Sequence, residues 1–190
     1  MSVLPWQNTL NGGRPMKISA KSQVPFPLPL VYATFRDRLV DLVPYMPNIR
    51  AIEVKSRREE NGKIACVNDW HGGGDIPSAA RMILSEDMLS WTESITWNEA
   101  DFTADWRIQT HAFTEAVKCF GRNRFWEENG ITFIENQGEL IIDPHQIQGF
   151  PAFMTGGIAH LVEEVLGSKI SPNLNYLSQG VRRYLEQQSV

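Results

Sequence analysis

The sequence predicts an α+β protein, with an early helix, a run of antiparallel strands and a helical segment at the C-terminal end. Three observations carry this. Four stretches between positions 89 and 143 alternate apolar and polar residues, with short polar connectors such as "NEAD" and "ENG" between them. Asn61-Gly62 joins two further alternating runs and is the strongest short hairpin signal available. Ile158, Leu161, Val162, Val165 and Leu166 then recur at the spacing of one helix face.

Residues 1–15 contain Asn11-Gly12-Gly13 and two prolines without periodicity, and read as a loosely ordered lead-in to one domain over 16–190. Positions 17–24 alternate as a strand, which "PFPLP" ends, and Pro29 suits the first turn of a helix. From Leu30 onward Val31, Phe35, Leu39, Leu42 and Val43 give that helix its apolar stripe, in one piece or kinked into two, with an end by Pro44 or Pro47. Strands follow over 49–58, 63–71, 89–97, 103–112, 117–127 and 131–143, while 76–88 fits neither template. Ser171-Pro172 reads as an N-cap followed by proline at the first helical position. Leu174, Leu177, Val181 and Leu185 carry a second stripe, so one broken helix or two consecutive ones satisfy the pattern. A sheet of six or seven strands has more apolar face than it can cover by itself. It should curl around the last helix.

At 190 residues the chain can bury roughly 70% of its unfolded surface and needs no staples. A net charge of −4, with basic clusters no longer than Arg57-Arg58 and Arg182-Arg183, argues against nucleic acid or an anionic membrane as the main partner. Cys66 and Cys119 are too few and too distant for a metal or redox motif; two reduced, buried thiols suit a cytoplasmic location. No secretory signal and no apolar run of membrane-spanning length is visible.

The stretch "SQVPFPLPLVYATFRD", the following "VPYMPNI", then "SWTESITWNE", "ITFIENQGELIID" and the C-terminal helix together resemble the START/birch-pollen-allergen/polyketide-cyclase (SRPBCC) superfamily of helix-grip domains. The resemblance covers roughly residues 16–187. It implies a curved antiparallel sheet wrapped around a long C-terminal helix, with an apolar cavity between the two. Members bind lipids, sterols, polyketides or plant hormones, and a minority are cyclases or dehydratases. They share no invariant catalytic set, so the cavity must be read from this sequence.

Alternation sorts each strand into two faces. The inward set is Trp91, Glu93, Ile95 and Trp97 on one strand and Ala104, Trp106, Ile108, Thr110 and Ala112 on the next. Val117, Cys119, Gly121, Asn123 and Phe125 follow, then Ile134, Leu140 and Ile142. The expected ligand-binding residues are therefore Trp91, Glu93, Trp97, Trp106, Asn123 and Phe125, opposite Met154, Ile158, Leu161 and Val165. Glu93 and Asn123 break an otherwise apolar face. A buried carboxyl is costly unless it is paired or neutral, which makes Glu93 the candidate functional acid.

"DWHGGGD", residues 69–75, matches the oxyanion-hole signature of many esterases, but no Gly-x-Ser-x-Gly elbow follows. It reads instead as a flexible turn at a strand end, near the cavity mouth. His160 and Glu163 lie one helical turn apart, off the apolar stripe, and form no metal motif with His71, His111 or His145. The leading expectation is a protein, monomer or homodimer, that binds an apolar or aromatic small molecule such as a lipid, isoprenoid or polyketide, without a cofactor. The alternatives are a cyclase/dehydratase-type enzyme using Glu93 and a protein-interaction module with a vestigial cavity.

Overall fold

The structure, a computed structural model, describes residues 14–188, so most of the expected lead-in lies outside the described residues. Among the described residues seven strands, β1 (Met16–Val24), β2 (Ile49–Glu60), β3 (Lys63–Gly72), β4 (Ser90–Asn98), β5 (Thr103–Thr110), β6 (Val117–Glu128) and β7 (Ile131–Ile142), form one antiparallel sheet in the order β1-β7-β6-β5-β4-β3-β2. Helix α1 (Leu28–Asp37) and a 3-10 segment, Leu39–Tyr45, link the two edge strands. The kink admitted by the sequence falls at Arg38, between these two pieces. Helix α2 (Ala152–Gln188) closes the molecule.

Two of the hairpins rest on Asn-Gly turns. Asn61 and Gly62 have φ of 53° and 71°, and Asn129 and Gly130 have 53° and 76°. Two consecutive positive φ values match the right-handed strand twist, and Asn and Gly tolerate them best. Two register shifts in β2, between Ile49 and Ala51 and between Val54 and Ser56, bend that edge of the sheet. The N-terminus of α1 has no side-chain cap of its own; Glu127, reaching from β6, accepts the Leu28 N–H at 2.7 Å.

Tyr32 and Phe35 of α1 plug one end of the curved sheet. The Tyr32 ring meets Trp97, Phe102 and Phe125 edge-on at 5.2, 5.2 and 5.1 Å between centroids, and Phe35 meets Phe125 at 5.4 Å. Edge-to-face contacts of this kind add to area burial. Phe102 adopts φ of 51°, a left-handed conformation unusual for an aromatic residue, and the ring contact offsets that cost.

Helix α2 runs through Pro172 as one helix, which resolves the two readings of the C-terminal segment. Pro172 cannot donate to the Ser168 carbonyl, so one rung of the helical ladder is missing there. Along β1 the helix is held by Gly167 against Met16 and by a 2.7 Å hydrogen bond between the Ser22 and Ser178 hydroxyls.

Candidate functional site

Between the concave sheet face and α2 lies a cavity of about 190 Å³. Its walls are mostly apolar, and they are built as strand alternation requires: inward residues of neighbouring strands form rows across the sheet. One row runs Asn68, Glu93, Ile108, Cys119, Leu140; the next runs Cys66, Ile95, Trp106, Gly121, Gly138. The Trp106 ring packs against Gly121 and Gly138, where an added Cβ would come within 2.4 and 2.8 Å of it. The two glycines thus make the depression that holds the indole. Its Nε1–H donates to Asn123 Oδ1 at 2.8 Å, which explains why a polar residue breaks the pattern at 123.

Glu93 faces the cavity from β4. Its Oε2 accepts two hydrogen bonds, from Asn68 Nδ2 at 3.1 Å and Trp70 Nε1 at 3.2 Å. Oε1 has no partner among the described residues, and the surface that Glu93 retains opens on the cavity. Burial pushes its pKa above the usual carboxylate range; the Asn68 and Trp70 donors oppose that shift without cancelling it. With both donors on Oε2, protonation at Oε1 turns an O–H into the cavity. Cys119, in the same row, has its thiol pushed up to about 12 by burial and acts as a small apolar wall. Thr110 is 9% exposed and its Oγ1 is the single buried side-chain polar atom without a partner among the described residues.

Six of the ten residues expected to bind ligand line this cavity: Trp91, Glu93, Trp97, Trp106, Asn123 and Val165. Phe125 is buried behind the wall in the α1 aromatic plug. Ile158 is buried outside the cavity, Leu161 does not line it, and Met154 is 43% exposed. The face of α2 that meets the cavity starts at Val162 and continues through Leu166, Ile170, Leu174 and Leu177. Helical periodicity fixes the face but not the position along the axis, so the expected stripe sits one to two turns too early. Asn68 and Trp70 were absent from the expected set. Their own strand alternates Ile64, Cys66, Asn68, Trp70 and carried the signal.

Two of the three glycine amides in the "HGGGD" turn are already committed to main-chain carbonyls. The Gly72 N–H donates to the Leu89 carbonyl at 2.7 Å and the Gly73 N–H to the Asn48 carbonyl at 2.9 Å, so neither amide is free. An added Cβ at Gly72 would meet Leu89 O at 2.4 Å. Gly72 and Gly73 are packed closely at the cavity edge. Among the described residues no group of three or more His, Cys, Asp or Glu side chains is placed to hold a metal. His111 is tied to Thr92 (2.9 Å) and Ser90 (3.0 Å), and His160 is exposed. No described helix is long and apolar enough to cross a membrane.

No protein-family model matches the chain, and none of the curated proteins does. Solved structures do. The Zhui aromatase/cyclase from Streptomyces superposes with a TM-score of 0.64 at 14% identity, over 90% of this chain and 96% of that one. Ara h 8.0201 gives 0.59 at 16% identity, over 92% and 99%. A truncated norcoclaurine synthase from Thalictrum flavum gives 0.59 at 10% identity, over 92% and 95%. At such identities these likenesses show the fold. All three are helix-grip proteins of the SRPBCC, or Bet v 1-like, type.

Proposed function

From this helix-grip fold and its cavity, we propose that the chain binds a small apolar or aromatic molecule between sheet and C-terminal helix. The observation that carries the reading is the Glu93 carboxyl, aimed by two donors at a cavity walled by Trp70, Trp91, Trp97 and Trp106. An apolar pocket with a few convergent polar groups is the usual form of a small-molecule site. When protonated, the Glu93 carboxyl can donate to a ligand carbonyl, and the Thr110 hydroxyl supplies a second polar partner. At about 190 Å³ the cavity is smaller than the roughly 300–1,000 Å³ of drug-sized pockets. That favours a ligand of one or two rings over a long acyl chain or a sterol.

A second reading has its own support. Two of the structural neighbours are named as an aromatase/cyclase and a synthase, and an acid with one free oxygen facing a cavity can also move a proton. Native mass spectrometry of freshly purified protein tests the first reading: a co-purifying apolar compound is expected, and a consistently empty chain favours an interaction module instead. Glu93→Gln separates the two. It keeps the shape and a donor, so a binder retains affinity within a few-fold, whereas an acid catalyst loses turnover by roughly 10²–10⁴-fold.

A further inference from the structure

Among the described residues three side chains of charged type line the cavity: Arg36, Glu93 and Lys169. Arg36 is neutralised twice, by Asp37 at 2.7 Å and by Glu99. Glu93 is held by Asn68 and Trp70 in the opposite wall. Lys169 differs from both. Its Nζ donates to the Asp75 main-chain carbonyl at 2.9 Å, and no carboxylate pairs with it among the described residues. The neighbouring ion pair, Arg50 with Glu86 at 3.0 Å, is complete in itself.

Lys169 does not stand alone. Asn173 lies one turn further along the same face of α2 and also lines the cavity. Its Oδ1 accepts from Asn48 Nδ2 at 3.2 Å, which leaves its own Nδ2 donor without a partner among the described residues. Gly74 lets the main chain pass close to both groups. At φ of +94° it needs no side chain, and the point where its Cβ would stand is 3.7 Å from Lys169 Nζ and 2.9 Å from Asn48 Oδ1. The polar end thus carries an ammonium and an unused amide donor, both on the cavity wall. Trp91 is close by: its ring lies 3.1 Å from the Cβ point of Gly72, two residues before Gly74. Trp70 stacks on Trp91 with centroids 5.5 Å apart and planes 15° apart.

We infer that the ligand is an anion, a small aromatic carboxylate whose acid group sits on Lys169 and Asn173 while its ring enters among the tryptophans. A charge-assisted contact at the edge of an apolar cavity is stronger than one in open water, and it fixes which end of the ligand enters first. The inference rests on the reading of the cavity as a small-molecule site and adds the charge and orientation of what it takes.

Naphthoate and its neutral isostere naphthamide, titrated into the full chain and followed by tryptophan fluorescence, test it. Naphthoate is expected to bind at least about tenfold more tightly than naphthamide. Lys169→Met, which keeps a helix-forming stem of similar length, should abolish that preference, bringing naphthoate to within about twofold of naphthamide in the same variant. Equal affinity of the wild-type chain for both probes overturns the inference and leaves the cavity reading standing. A preference that survives in the Lys169→Met, Asn173→Leu double variant overturns it too. If neither probe binds, the aromatic-ligand reading itself fails and the inference falls with it.

Discussion

At the scale of single residues, Glu93 is where the fold carries a thermodynamic cost. A carboxyl among tryptophans is disfavoured as an anion, and two neutral donors on one oxygen do not restore what water gave it. Its folded pKa is therefore raised above the unfolded value of about 4.3. Below that value both states are protonated and the stabilising difference is fully present. As pH rises the unfolded chain ionises first, and stability declines until pH has passed the folded pKa. Urea denaturation across pH 4–8 should show wild-type stability falling relative to Glu93→Gln, with the gap opening upward from about pH 4.3. Parallel curves for the two proteins would mean that Glu93 is solvated or is paired as an anion.

At the scale of elements, the glycines and Pro172 set the shape. Gly121 has no room to grow: an added Cβ would lie 2.3 Å from the Gln137 carbonyl and 2.4 Å from the Trp106 ring. Gly121→Ala should therefore cost about 3 kcal/mol, measured as a shift in urea midpoint at unchanged slope. Pro172 points the other way. In the interior of a continuous helix it forfeits a hydrogen bond and clashes, so Pro172→Ala should stabilise by about 2–3 kcal/mol. A lowered midpoint in that variant would show that the native packing uses the break. Elements also mark what the sequence could and could not say. Turn chemistry and alternation gave the strands and their inward faces from Trp91 to Ile142, because residues such as Asn61-Gly62 and Asn129-Gly130 act locally. Glu93 was legible for the same reason. Its partners Asn68 and Trp70 were not, since 17 residues, 73–89, separate β3 from β4 and hide which residue faces which. Lys169 and Asn173 were hidden for a related reason. Periodicity names the helix face, but only packing fixes how far the helix slides along the sheet.

At the scale of the whole molecule, a strongly curved sheet and one long helix enclose more space than their own side chains fill. The walls of such a void lack packing partners, and a ligand restores them. Binding should then stabilise the folded chain by mass action, by about 2.7 kcal/mol when the ligand stands at a hundred times its dissociation constant. A side chain can claim the same volume. Cys119 sits in the middle of the inward row between Ile108 and Leu140, lines the cavity and is 3% exposed. Cys119→Leu extends two methyl groups into that space and should add about 1–2 kcal/mol of stability in the absence of ligand. It should also weaken naphthoate at least tenfold, about 1.4 kcal/mol, and remove the stabilisation that naphthoate gives the wild-type chain. The two gains compete for one volume and so cannot add. If Cys119→Leu keeps full affinity while naphthoate still raises its melting temperature, the probe binds elsewhere and the cavity is not the site. If the variant is instead destabilised and still binds, the wall at Cys119 is already packed and the open volume lies nearer Trp91 and Lys169.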